Sequence, residues 1–249
     1  NSINWARIAA QSVYYFTSAA ALGAPYRKIG FVVPTGNFGD AFAGFVASKM
    51  GLPIARIVAA TNSNDIVARA LQTGQYARGA VQATQSPAMD IQIASNFERL
   101  YFEATRREAM ETARAFQAFA TTGAVDIPPQ AFSAMTELFG GVAVDEDETS
   151  RTMVATLNET GELIDPHTAV AVAAAKRVRA IGKMGATPLI ALATAHAAKF
   201  PEAVHAACGL EPGMPAAAVG IGQKAERFDR LPNDPDALKA YLRAFAGAA

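Results

Sequence analysis

The stretch Pro34-Thr35-Gly36-Asn37-Phe38-Gly39-Asp40 decides how this chain reads. It follows a short apolar run, Ile29 to Val33, and opens an apolar-patterned segment, Ala41 to Met50. Strand, glycine turn, helix is the order in which a chain offers free main-chain N–H groups to an anion. The first amides of a helix have no internal acceptor, and the helix dipole adds partial positive charge there. Gly36 and Gly39 can adopt backbone angles closed to other residues and let a ligand come close. The turn matches neither G-x-x-x-x-G-K-[ST] nor G-x-G-x-x-G. On its residues alone it is either a phosphate cradle or a structural strand-to-helix connection.

Working outward, Ile29 to Val33 and Ile54 to Ala60 are short, rich in β-branched residues and apolar throughout. Such runs suit strands of a parallel sheet covered on both faces. The helix between them, Asp40 to Met50, is closed by Gly51 and Pro53, which completes a β–α–β unit. Asn62 to Asp65 forms a loop that can cap a helix from Ile66 to Leu71. Gly74 to Gln85 reads as loop with some extended structure. Asn96 to Phe119 reads as one long helix with a charged, exposed face. Further helices are expected at Asn1–Leu22, Gln130–Phe139, Thr149–Asn158, Asp165–Lys183, Glu202–Cys208 and Asp236–Phe245, with a buried strand at Pro188–Ala193. The fold class is α/β, three-layer α/β/α with a mostly parallel sheet. Residues 1–249 are taken as one domain, with 124–162 as a peripheral helical insertion.

The 249 residues balance 22 Lys and Arg against 22 Asp and Glu, so the formal net charge is zero. Without a basic run, neither nucleic acid nor an anionic membrane is the expected partner. The longest apolar stretches, such as Ala169 to Ala175, are too short to span a bilayer. The single cysteine, Cys208, excludes an internal disulfide, reads as a small core residue and fits a cytoplasmic setting. Asp145 to Glu148 sit at a helix start, where the dipole favours negative charge; with no histidine beside them they do not read as a metal site. The three histidines, His167, His196 and His205, have no metal-ligand spacing, and His205 reads as structural. No serine has a G-x-S-x-G setting for nucleophilic catalysis.

Several segments, in order, resemble the threonine synthases, which are pyridoxal-phosphate enzymes of fold-type II. They are Asn1-Ser2-Ile3-Asn4-Trp5-Ala6-Arg7, the Gly36–Asp40 turn, Met89-Asp90-Ile91, Ser95-Asn96-Phe97-Glu98-Arg99-Leu100, Asp165-Pro166-His167-Thr168-Ala169, and Thr194-Ala195-His196-Ala197-Ala198-Lys199-Phe200-Pro201. The resemblance covers the chain to about Pro201. It implies the large domain of fold-type II enzymes and a carbon–oxygen lyase of threonine biosynthesis, which converts O-phospho-L-homoserine and water to L-threonine and phosphate. Family members carry the lysine that bonds the cofactor well upstream of the phosphate turn. Here only Lys28 precedes Gly36, and none of Lys49, Lys176, Lys183, Lys199, Lys224 or Lys239 occupies that motif. The chain therefore reads as the C-terminal part of such an enzyme, inactive alone, with an unpaired sheet edge that favours self-association.

The resemblance implies that Gly36, Asn37, Phe38, Gly39 and Asp40 bind the cofactor phosphate. The amides do the binding, and Asp40 serves as a helix cap or an acceptor for loop amides. Thr194 corresponds to the hydroxyl that meets the cofactor's ring nitrogen, with Ala197 where the family has proline. Asn4, Ser95, Asn96, Arg99, His167, Thr168 and His196 are candidates for the substrate pocket. Trp5, Tyr14 and Tyr15 read as packing residues. Two alternatives share this pattern: another fold-type II enzyme, such as a threonine dehydratase or cysteine synthase relative, and a non-catalytic module that binds a phosphorylated ligand.

Overall fold

A computed structural model describes residues 3–182 and 184–247. Asn1 and Ser2, which open the first motif and its expected helix, and Lys183 lie outside the described residues. The chain divides into two compact units, one ending at Gly213 and one beginning at Met214.

The first unit is built on a parallel sheet of β1 (Ile29–Pro34), β2 (Ile54–Thr61), β5 (Phe139–Ala143) and β6 (Leu189–Ala191), in the order β5-β2-β1-β6. Every residue of β1 is buried, which is why its sequence is apolar without alternation. Its side chains still divide between two faces. Phe31 and Val33, with Ile57 and Ala59 of β2, join one core. That core also takes in residues of α1 (Trp5–Ala21), α2 (Gly39–Lys49), α3 (Ile66–Thr73), α4 (Phe97–Ala104) and α6 (Pro129–Leu138). Val32, Val58 and Ala60 face the other core, filled by Val170, Ala171, Ala174 and Val178 of α8 (Pro166–Ala180). Helices cover both faces of a parallel sheet, so the fold is three-layer α/β/α.

A small antiparallel pair, β3 (Gln75–Ala77) with β4 (Ala124–Asp126), lies outside the main sheet. Residues 124–162 supply β4, α6, β5 and α7 (Glu146–Thr160). The segment read as a peripheral insertion therefore contributes a strand to the main sheet, where β5 pairs with β2. Asp145 caps α7, its side chain accepting the Glu148 N–H at 2.7 Å.

The expected long helix over Asn96–Phe119 is two helices, α4 and α5 (Ala109–Thr122). Arg106 and Arg107 both have left-handed backbone angles, φ 56° and 64°, and these stop the first helix. No glycine or proline marks the break, and the charged pattern runs through it unchanged. Cys208, at the end of α9 (Pro201–Cys208), is half-buried and not a core residue. Trp5 is 53% exposed, not packed in the core.

In the second unit, short helical turns lead to α10 (Pro235–Gly247), none of whose described residues is buried. No described helix of the chain is long and apolar enough to cross a membrane.

Candidate active site

The turn after β1 is held from behind and left open in front. The Thr35 N–H donates to the Ala60 carbonyl at 2.7 Å, and its hydroxyl to the Val33 carbonyl at 2.7 Å. The Asn37 carbonyl accepts from the main-chain N–H and the side-chain Nδ2 of Asn96, both at 3.0 Å. Ser95 donates to Asn37 Oδ1 at 3.1 Å. Phe38 takes a left-handed conformation, φ 63°, and buries its ring against Phe97 and Phe139. Gly36 is required by close approach: a Cβ there would lie 2.6 Å from the Ala88 carbonyl oxygen. Among the described residues, the N–H groups from Gly36 through Ala41 meet no acceptor. A row of unpaired amides at the start of an 11-residue helix is the backbone arrangement that favours an anion.

These amides open into a cleft of about 630 Å³. One wall is the turn itself; a second is the end of β6, Leu192 to Ala195, with Lys199 and Phe200. The third is a face of α1 presenting Arg7, Gln11, Tyr14 and Ser18 at helical spacing. The sequence reading missed that face. Its signal was there: Arg7, Gln11, Tyr14 and Ser18 stand four, three and four positions apart, along one face of the helix. Tyr15 is a packing residue, as read, but Tyr14 lines the cleft.

Asp40 is neither a helix cap nor an acceptor for loop amides. The cap position belongs to Phe38, and the Asp40 carboxylate accepts from Tyr14 Oη at 2.6 Å and Tyr15 Oη at 3.1 Å. Burial pushes the Asp40 carboxyl above its usual pKa, opposed by the two tyrosine hydroxyls and by the Arg7 charge. Burial, reinforced by the Asp40 charge, also raises both tyrosines.

Behind the cleft, Asp165 caps α8 and organises the residues beside it. Its carboxylate accepts the His167 main-chain N–H at 2.8 Å, His167 Nδ1 at 2.9 Å, and the Thr168 hydroxyl. Burial alone would raise the Asp165 pKa; the donors from His167 and Thr168 outweigh it and hold the carboxyl below its usual range. The far nitrogen of His167, Nε2, accepts the Ala88 N–H at 3.3 Å. A main-chain N–H can only donate, so His167 is neutral here and carries its proton on Nδ1. The histidine thus braces the Pro87–Met89 turn against the cleft. That turn is also secured through Asp90, which accepts from Asn62, Asn64 and Thr84 at 2.8, 3.0 and 2.6 Å.

The structure brings Gly36, Asn37, Phe38, Gly39, Asp40, His167 and Thr194 to the cleft wall. The other candidates do not line it. Asn4 caps α1, accepting from the Ala6 N–H at 2.9 Å. Ser95 and Asn96 brace the turn, and Thr168 is buried on Asp165. Arg99 donates to Asn96 Oδ1 and to the Ile3 carbonyl, with its guanidinium over the Trp5 ring. His196 is exposed and accepts the Ala198 N–H at 3.1 Å.

Residues 168–242 match the family model described as threonine synthase, C-terminal. The threonine synthase of Pseudomonas aeruginosa is 42% identical over 97% of this chain and 51% of its own length. The chain belongs to the threonine synthase family. Saccharomyces cerevisiae threonine synthase is 44% identical over 82% of the chain and 43% of its own length. Among solved structures, a PLP-bound threonine synthase from Brucella melitensis superposes with a TM-score of 0.90 at 48% identity, over 98% of this chain and 52% of that one. The yeast enzyme gives a TM-score of 0.85 at 36% identity, over 100% of this chain and 54% of that one. The chain thus spans about half the length of the relatives it matches.

Proposed function

We propose that this chain supplies the cofactor-phosphate cradle and part of the substrate pocket of a threonine synthase. The enzyme would convert O-phospho-L-homoserine and water to L-threonine and phosphate with pyridoxal phosphate, in the cytoplasm. One observation carries the reading: the unpaired N–H groups of Gly36–Ala41 face a cleft whose opposite lip is the end of β6. The cleft, about 630 Å³, is in the range of small-molecule sites, and its donor set suits a phosphate dianion: amides at a helix start, with Arg7 in the same cleft.

In this reading Gly36, Asn37, Phe38 and Gly39 bind the phosphate through their amides, while Ser95 and Asn96 fix the turn. Thr194 presents a neutral hydroxyl to the ring nitrogen. When bound, pyridoxal phosphate supplies an electron sink for the bonds broken in the substrate, and the protein tunes that sink by what it places at the ring nitrogen. Arg7 and Lys199 are cations on the cleft wall and would orient the substrate's anionic groups. His167, with both ring nitrogens engaged, holds the Ala88 turn in place and moves no proton.

The reading takes the cofactor-bonding lysine from outside these 249 residues. The chain alone is expected to bind pyridoxal phosphate more tightly than pyridoxal and to show no turnover. A complete protein containing it is expected to release phosphate and threonine from O-phospho-L-homoserine. Ketoacid formation from threonine would point to a dehydratase instead. Equal affinity for pyridoxal and its phosphate would reduce the Gly36 turn to a structural connection.

A further inference from the structure

We propose that the hydroxyls of Tyr14 and Tyr15 hold the Asp40 carboxylate out of the anion cradle, which makes Tyr14 a positioning residue for phosphate binding. The inference rests on reading Gly36–Ala41 as the phosphate site.

A carboxylate in the first turn of a helix is drawn to the positive end of the dipole and can accept that turn's free N–H groups. Asp40 is the second residue of α2, so its side chain and a phosphate compete for the same amides. Those amides nevertheless have no acceptor among the described residues, because the carboxylate is engaged elsewhere. Asp40 Oδ1 takes the Tyr14 hydroxyl at 2.6 Å and the Tyr15 hydroxyl at 3.1 Å; the latter also reaches the Asp40 carbonyl at 2.9 Å.

The two tyrosines are anchored for this task. Gly44 lets α1 approach α2 closely, since a Cβ there would lie 2.7 Å from Tyr15 Cε1. Tyr15 is fully buried with its ring 4.7 Å from that of Phe31, and Tyr14 stacks on Tyr15 at 5.4 Å. The acid is thereby held by two hydroxyls of α1 and not by the amides of its own turn. An aspartate at the mouth of a phosphate site, otherwise out of place, becomes compatible with binding.

Tyr14→Phe, Asp40→Asn and the double variant test this in two independent ways. By calorimetric titration with pyridoxal phosphate, Tyr14→Phe should weaken binding about tenfold, the factor given by one charge-assisted hydrogen bond of about 1.4 kcal/mol. Pyridoxal binding should not change. Asp40→Asn should bind at least as tightly as wild type, and the double variant should recover wild-type affinity, because no carboxylate remains to compete. In the unliganded chain, the amides of Gly39–Ala41 should exchange more slowly in Tyr14→Phe and return to the wild-type rate in the double variant. A double variant as weak as Tyr14→Phe would show that Tyr14 only packs, and unaltered exchange in Tyr14→Phe would overturn the proposal. Failure of the wild type to bind pyridoxal phosphate would sink the phosphate reading, and the exchange rates would still decide where the Asp40 carboxylate goes.

Discussion

Replacing Gly36 by alanine tests the architecture of the cradle directly. The added Cβ would sit 2.6 Å from the Ala88 carbonyl oxygen and 3.2 Å from Met89 Cα, where ordinary contact begins at 3.4 Å. The two stretches of chain would have to part by about 0.8 Å, and both opposing atoms belong to backbone, which has no rotamer by which to step aside. Nor is the Pro87–Met89 turn free to retreat. Its Ala88 N–H is held on His167 Nε2, its Met89 N–H on the Ser86 carbonyl at 2.9 Å, and the next residue, Asp90, is tied to Asn62, Asn64 and Thr84. Overpacking of this kind costs about 2–3 kcal/mol. In a protein of this size that lowers the melting temperature by about 5–10 °C. The displaced turn should also lose at least about tenfold in affinity for pyridoxal phosphate, since a shift of this size breaks hydrogen-bond geometry at several amides together. Scanning calorimetry and ligand titration would measure both. Gly213→Ala is the control: nothing lies within 4 Å of a Cβ there, so it should match wild type. A Gly36→Ala protein that melts with the wild type and binds the ligand equally well would refute the reasoning.

Three further outcomes follow from the same geometry. Asp165→Asn should cost about 2–3 kcal/mol, because it removes a buried ionised acceptor from His167 and Thr168. The Asp165 pKa is depressed on folding, so its contribution is present above the unfolded value and is lost as pH falls through the folded one. Urea midpoints should therefore fall less steeply below about pH 4 in Asp165→Asn than in wild type, and identical acid limbs would count against the assignment. Arg106→Gly should raise stability by about 0.5–1 kcal/mol, because it relieves one of two successive left-handed residues between α4 and α5 at only a modest entropic penalty. A lower urea midpoint would contradict that. The isolated chain, with the three-residue β6 as an edge of its sheet, should self-associate in light scattering; a monomer over a wide concentration range would oppose this.

Much of this was legible in the sequence because the determinants are local. The β1 and β2 runs are buried on both faces and so read as unbroken apolar stretches, and glycines fix the turn that follows β1. Asp165 opens its helix where the sequence put the start, whereas the helix expected from Thr149 begins three residues earlier at Glu146, capped by Asp145. What stayed hidden depends on neighbours distant in the chain. The pocket facing of Tyr14 follows from α1 lying on α2, and the engagement of Asp40 from two hydroxyls 25 and 26 residues away. Arg99, Ser95 and Asn96 looked like pocket residues because they sit in a distinctive motif. In the structure Ser95 and Asn96 bond Asn37 of the turn, Arg99 bonds the Ile3 carbonyl, and none of the three lines the cleft. The break at Arg106 was invisible because arginine does not signal a left-handed conformation.

The position of the cleft is itself a consequence of topology. From β1 the chain winds through α2 to β2 and on to β5, always toward one edge of the sheet. It then returns through α7 and α8 to lay β6 on the opposite side of β1. The direction of winding reverses at β1, so the turns leaving β1 and β6 diverge at the carboxyl ends of neighbouring parallel strands. Open α/β sheets bind ligands at such a switch point. Here the divergence places the Gly36–Ala41 amides on one lip and Thr194 on the other. A β-strand pairing in the order β6-β5-β2-β1 would keep every local element intact and abolish the cleft. The site therefore depends on the late strand Leu189–Ala191 crossing back, as much as on the glycine turn.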